Sequence, residues 1–113
     1  MAYTPSFTPE TMTRAEIDTS AGPLVLEFGA NWCSICQGAQ PVIRQALDEH
    51  PDVPHVKVED GPGRALGRSF KVKLWPTLVF LQNGEVKTQI VRPTHSDLKA
   101  LGDALKQIST PAA

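Results

Sequence analysis

Two short runs of almost continuous apolar residues constrain the fold of this chain more than any other feature. They read LVLEF at residues 24–28 and TLVFL at residues 77–81. A strand with one face in water alternates apolar and polar residues, whereas runs like these suit strands covered on both faces. The sequence therefore predicts a sheet that lies between layers of helices.

Weaker patterns predict the other strands and the helices. The alternation of HVKVE at residues 55–59 is typical of a strand. Asn83-Gly84 is a hairpin turn signal, which predicts that residues 86–91 form an antiparallel strand. Helical spacing of apolar residues predicts a long helix after residue 33. Shorter signals place a helix over 65–70, a last helix capped by Thr94 and Asp97, and a kink at Pro41.

The order is strand, helix, strand, helix, strand, strand, helix. This order predicts an α/β fold with a small mixed sheet flanked by helices on both faces. The alternating part should pair in parallel and the terminal hairpin should add an antiparallel edge.

Length and composition fit one domain over residues 1–113, with residues 1–20 as a loosely structured arm. Thr13 and Glu16 fit a capping box that would start a short helix in this arm. The 41% apolar content excludes a disordered chain. The balance of 11 basic and 12 acidic residues argues against binding to nucleic acid or to a membrane surface. Without a visible signal sequence, we expect a cytoplasmic monomer.

Cys33 and Cys36 are the only two cysteines and lie at the predicted start of the long helix. Residues three apart share one helix face, within the ~5.5 Å Cα separation of a disulfide. Free backbone N–H groups at the helix start would favour a Cys33 thiolate, and Cys36 would lie one turn further in. The alternatives are half a zinc site or two cysteines without a function. His50 and His55 lie at the far end of the helix, so we expect no metal.

The context of these cysteines adds a family resemblance. It is carried by the stretches LVLEFGANWCSICQ and LWPTLVFLQNGEV, by Pro41, by residues 55–59 and by the last helix. Together these parts resemble the thioredoxin family over about residues 24–108. The resemblance implies the thioredoxin fold and thiol–disulfide exchange through the protein's own dithiol. It implies no metal or organic cofactor, and a reductase as electron donor.

The resemblance also implies roles for individual residues. Cys33 matches the attacking cysteine and Cys36 the resolving one. Pro76 matches the family's cis-proline beside the disulfide, and the Trp75 backbone before it would pair with a substrate strand. Trp32 would cover the disulfide and shape the substrate surface. As an alternative, Trp32 is a core aromatic that simply packs.

Glu27 stands out as a carboxylate within an apolar run, where burial would favour its protonated form. By resemblance, Glu27 takes the Cys36 proton, directly or through water, and Lys57 neighbours this carboxylate and offsets its burial. The alternative is an ordinary Glu27–Lys57 ion pair at a strand surface.

Several residues depart from the family pattern. Ser34-Ile35 replaces the usual Gly-Pro, so a redox potential cannot be carried over. Gly29 replaces a usual aromatic, and Trp75 a small branched residue. Arg92 replaces a glycine, where its guanidinium favours acidic partners, stabilises the Cys33 thiolate, or only solvates a loop. These departures favour a dedicated set of partners.

The predicted function is thiol–disulfide oxidoreductase, reducing protein disulfides in the cytoplasm. One alternative is an oxidant, isomerase or glutathione-linked enzyme, which Ser34-Ile35 leaves open. The other is a protein-binding or chaperone-like module that uses the Trp32, Trp75 and Pro76 surface.

Overall fold

A computed structural model of the chain describes residues 3–110. The elements run in the order α1 (Arg14–Asp18), β1 (Pro23–Gly29), α2 (Ser34–Asp48), β2 (His55–Glu59), α3 (Ala65–Ser69), β3 (Thr77–Gln82), β4 (Glu85–Val91) and α4 (Leu98–Ser109), with a 3₁₀ turn at His95–Asp97 before α4. Every predicted strand and helix is present, and the predicted boundaries shift by no more than one residue. The α2 helix continues through Pro41.

The four strands form one mixed sheet in the order β2-β1-β3-β4. The β1 and β2 strands are parallel, and β3 is antiparallel to both β1 and β4. The expectation of parallel pairing throughout the alternating part is therefore wrong for β3. The connection between β2 and β3, which contains α3, begins and ends at the end of the sheet where β2 finishes, since Trp75 at its far end donates a hydrogen bond to Asp60 at its start. The chain consequently enters β3 from the same end of the sheet at which β2 finishes.

Helices cover both faces of the sheet, as the apolar runs predict. On one face, α2 and α4 pack on the sheet around Val25, Leu78 and Phe80. The other face of β1 and β3 packs against three residues of the short helices. These are Ile17 of α1, Leu66 of α3 and Phe70, which directly follows α3. Consecutive strand residues point to opposite faces, so both cores draw on the same two runs.

Local signals account for the connections. Thr13 and Glu16 form the predicted capping box of α1. Thr94 and Asp97 form a second capping box. This box caps the 3₁₀ turn that leads into α4. Asn83 and its following glycine both have positive φ, 51° and 78°, which suits the two-residue hairpin between β3 and β4.

The segment before α1 lies along the edge of β2. Thr8 makes one parallel bridge to Val58, and its carbonyl accepts a 2.7 Å hydrogen bond from the Glu59 N–H. Phe7 is buried. The arm therefore packs on the sheet without adding a full edge strand. Within residues 3–110, no helix has the length and apolar character that crossing a membrane requires.

Candidate active site

The two cysteines lie where β1 leads into α2. Cys33 is the N-cap of α2, and its Sγ accepts a 3.2 Å hydrogen bond from the backbone N–H of Cys36. Both thiols are free, and Cys33 is the more exposed of the two. A helix N-terminus offers unpaired N–H groups and a favourable dipole, so this position suits a thiolate at Cys33.

Cys36 lies one turn into the helix, with only 1% of its surface exposed. Burial, with the hydrogen bond to Cys33, raises the pKa of the Cys36 thiol to about 12. Gly29 makes room for this thiol, because a Cβ at that position would lie 2.7 Å from Cys36 Sγ and 2.9 Å from the Phe7 ring. Cys36 is therefore a protonated thiol in an enclosed site, and it needs a proton acceptor before it can attack.

Glu27 is fully buried under the helix and has two hydrogen-bond donors. His55 Nε2 lies 2.9 Å from Oε1, and Gln40 Nε2 donates to Oε2 at 2.8 Å. The backbone N–H of Thr4 donates to His55 Nδ1 at 2.9 Å, which leaves the ring proton on Nε2. His55 is thus a neutral donor to the Glu27 carboxylate.

Gln40 joins the carboxylate to the other polar groups of the site. Its Nε2 also donates to the Cys36 carbonyl at 2.8 Å, and its Oε1 accepts from Lys57 Nζ at 2.8 Å and from the Tyr3 hydroxyl at 2.7 Å. All four hydrogen-bonding positions of the Gln40 amide are therefore used.

The expected contact between Glu27 and Lys57 is indirect. The two residues are register partners on β1 and β2, and both are buried. Among residues 3–110, no lysine or arginine nitrogen lies within 4.0 Å of the Glu27 carboxylate, and Lys57 reaches the carboxylate through Gln40. The surface ion-pair interpretation is therefore wrong. Burial lowers the pKa of Lys57, and the charge of Glu27 opposes that shift.

The N-terminal arm closes this polar site from outside. The Pro5 carbonyl accepts a 3.1 Å hydrogen bond from Lys57 Nζ, and the Tyr3 ring stacks on His55 at 5.6 Å. Phe7 exchanges two hydrogen bonds with the Asn31 side chain, 2.8 and 3.0 Å long. The arm thus contributes both donors and acceptors to the polar network around Glu27.

A small cavity of about 70 Å³ lies between the arm and α2. Its lining includes Cys36, Gln40 and Lys57, together with Phe7 and Pro5 of the arm. This volume is large enough for ordered water, and polar groups line part of it. It connects the buried thiol to the groups that hold Glu27.

The predicted substrate-facing residues also come together. The Trp75–Pro76 peptide bond is cis, in agreement with the resemblance. The Trp32 and Trp75 rings meet edge to face at 5.6 Å, and Trp75 Nε1 donates to Asp60 at 2.8 Å. Trp32 is 76% exposed, so its interpretation as a core aromatic is wrong. Both indoles belong to the surface beside Cys33.

Arg92 lies at the rim of this surface. Its backbone N–H donates to the Pro76 carbonyl at 2.9 Å, and its Nε donates to the Trp75 carbonyl at 2.9 Å. Its φ is +50°, in the left-handed region that favours glycine. The guanidinium is therefore tied to the backbone before Pro76 and does more than solvate a loop.

Sequence reasoning missed Gln40, His55 and Asp60. Glutamine on a helix face carries no pattern that distinguishes a bound side chain from a solvated one, and the sequence presents His55 only as a zinc candidate. The register of β1 against β2 contains a usable signal, because a strand carrying His55 and Lys57 on one face pairs with the strand carrying Glu27. Within residues 3–110, no group of three or more potential metal ligands is found.

Comparison with known proteins places this geometry in a family. A family model described as thioredoxin matches residues 6–106. A protein named Thioredoxin H5 from Oryza sativa subsp. japonica is 28% identical over 99 residues, which cover 88% of this chain and 71% of that protein. Thioredoxin H3 from Arabidopsis thaliana is 31% identical over 77 residues, covering 68% of this chain and 65% of that protein.

Solved structures agree. The reduced form of thioredoxin 2 from Pseudomonas aeruginosa PAO1 superposes with a TM-score of 0.80 at 44% identity, covering 93% of this chain and 99% of that one. Mitochondrial thioredoxin 3 from Saccharomyces cerevisiae superposes with a TM-score of 0.67 at 26% identity, covering 83% and 85%.

Proposed function

Because this chain belongs to the thioredoxin family, it is a thiol–disulfide oxidoreductase, and we propose that it reduces protein disulfides with Cys33 as the attacking thiol. One observation carries this assignment. Cys33 caps α2 with its Sγ turned to a backbone N–H, directly beside a second, enclosed thiol. This arrangement supports one exposed nucleophile and one internal resolving group.

In the first step, the Cys33 thiolate attacks one sulfur of the substrate disulfide. A bond forms between Cys33 Sγ and that sulfur, the substrate S–S bond breaks, and the second substrate sulfur leaves as a thiolate that takes a proton from solvent. The Trp32 and Trp75 rings and the backbone before Pro76 would hold the substrate chain beside Cys33.

In the second step, Cys36 attacks Cys33 Sγ. The Cys33–Cys36 disulfide forms, the mixed disulfide breaks, and the remaining substrate sulfur leaves as a thiolate that takes a proton from solvent. Cys36 must first lose its proton, and its pKa of about 12 makes this loss unfavourable at neutral pH. A base near the thiol is therefore required.

We assign that base to Glu27. Gln40 holds Glu27 Oε2 and the Cys36 carbonyl with one amide group, so the base and the thiol are tied to one side chain. The cavity beside Cys36 is lined by Gln40, which binds Glu27, and water in this cavity would carry the proton from the thiol towards the carboxylate. In this scheme, Lys57 and His55 are positioning residues that keep the carboxylate hydrogen-bonded.

The oxidised protein must be reduced again, so a thiol or reductase electron donor is part of the proposal. Proteins of this family act on protein disulfides through their own dithiol and need no cofactor. We further propose that the chain works in the cytoplasm as a monomer.

The test is to capture the intermediate. Cys36→Ser removes the resolving thiol and should accumulate mixed disulfides with substrate proteins, visible on non-reducing gels and released by dithiothreitol. Cys33→Ser is the matched control, since it keeps a cysteine but removes the attacking one. Equal capture by the two variants, or none by Cys36→Ser, would contradict the assignment.

The same proteins test the binding-module alternative. A variant with both cysteines replaced by serine retains Trp32, Trp75 and Pro76. If the double variant binds the same partners with unchanged affinity and the wild type shows no turnover, binding rather than reduction is the function.

A further inference from the structure

The charges of this chain are separated along the sequence. Residues 61–93 contain six basic residues and one acidic residue, a net charge of +5. The remaining residues contain five basic and eleven acidic ones, a net charge of -6. The near-neutral total therefore conceals a basic segment, which runs from the loop before α3 to the end of β4.

Part of this basic segment borders the substrate-facing surface. A cleft of about 250 Å³ adjoins Trp75, and its charged lining consists of Arg64, Arg68, Lys73 and Asp60. Arg92 contacts the same residue, since its Nε donates to the Trp75 carbonyl. We define Arg64, Arg68, Lys73 and Arg92 as the basic flank.

Most of the flank has no internal counter-charge. Arg64 lies 3.2 Å from Glu59, and the Asp60 carboxylate accepts the Trp75 indole N–H. Among residues 3–110, no carboxylate lies within 4.0 Å of Arg68, Lys73 or Arg92, and all three side chains belong to exposed residues. Three cations are thus available to a partner.

An apolar area lies beside the basic flank. Trp32, Leu74 and Val91 are the large apolar residues of this area with 46–76% of their surface exposed. Trp32 contacts Trp75, and Leu74 and Val91 neighbour flank residues in the sequence. Exposed apolar residues next to unpaired charges suit a protein interface, in which charge complementarity sets the partner and the association rate.

We propose that the basic flank selects protein substrates whose disulfide is bordered by an acidic segment. This inference rests on the proposed function and names its substrate class. The acidic segment would lie along the cleft beside Trp75 and approach Arg92, while the disulfide reaches Cys33. Unlike charges would raise the association rate, an effect that salt weakens.

The test uses three disulfide-bridged peptides that share one core sequence and carry Glu, Gln or Lys flanks. At low salt, we expect kcat/KM to be about tenfold higher for the Glu-flanked than for the Lys-flanked peptide, a ratio that shrinks at high salt. Arg68→Glu/Lys73→Glu should reverse the preference, and Arg68→Gln/Lys73→Gln should reduce it. The matched control Lys99→Glu/Lys106→Glu changes the net charge equally on exposed positions of α4 and should keep the wild-type order.

The results distinguish a failure of this inference from a failure of the proposed function on which it rests. Equal rates for all three peptides, or the same loss of preference in the α4 control, would overturn the basic flank while leaving the reductase assignment intact. If the wild type turns over none of the peptides and Cys36→Ser captures none of them, the proposed function fails as well.

Discussion

Replacing Gln40 by leucine tests the polar network around the proposed base. The substitution removes all four hydrogen bonds of the amide, and two of these involve the charged groups Glu27 and Lys57. His55 and the Pro5 carbonyl continue to bind these two charged groups. Loss of a buried hydrogen bond to a charged group costs about 1.5–3 kcal/mol. Added apolar contact offsets part of two such losses, so we expect Gln40→Leu to lower the free energy of unfolding by about 3 kcal/mol.

Gln37→Leu is the matched control on the same helix. Gln37 is exposed, and its side chain makes a single 2.9 Å hydrogen bond to the Asn31 carbonyl. We expect that control to cost less than about 1 kcal/mol. Urea unfolding of the reduced proteins, analysed with a common m-value, measures both. Equal losses in the two variants would refute the view that Gln40 stabilises the buried charges.

Three further predictions use the same site. Gly29→Ala should destabilise the protein by about 1–3 kcal/mol, because its Cβ would lie 2.7 Å from Cys36 Sγ, whereas Gly38→Ala, with nothing within 4 Å, should stabilise it by about 0.5–1 kcal/mol in urea unfolding. Glu27→Gln should slow the decay of a preformed mixed disulfide by about 10²-fold at neutral pH, and a rate equal to wild type would remove Glu27 as the base. The raised pKa of Cys36 gives the reduced protein stability that is fully present below the unfolded pKa of 9.0 and is lost as pH rises towards about 12. Its unfolding free energy should therefore fall more steeply with alkaline pH than that of Cys36→Ala, and parallel slopes would contradict the shift.

The sequence predicts most of the fold because apolar patterning decides it. The two apolar runs predict central strands, and the positive-φ pair at Asn83-Gly84 explains the hairpin. The direction of β3 was not predictable in the same way, since it depends on the end of the sheet to which the connection containing α3 returns the chain rather than on any residue pattern.

The site divides along a similar line. Cys33, Cys36 and Pro76 lie within recognisable motifs, and the sequence alone locates them. The hydrogen-bond partners of Glu27 belong to no such motif, because His55 lies 28 residues further along the chain and Gln40 lies on α2 rather than on β1. Their roles follow from strand register and helix packing, which bring distant polar groups together only in the folded chain. The basic flank was not predicted because the net charge of the whole chain does not show how the charges are distributed along it.

The reduction potential of the Cys33–Cys36 pair tests the central claim most directly. The protein would be equilibrated in defined thiol buffers, alkylated and weighed intact, with Trp32 fluorescence as a second probe. A protein-disulfide reductase predicts one intramolecular two-electron couple at or below ~-270 mV. A value above ~-200 mV would indicate an oxidant, an isomerase or a glutathione-linked enzyme. Failure to form any intramolecular disulfide would contradict the account.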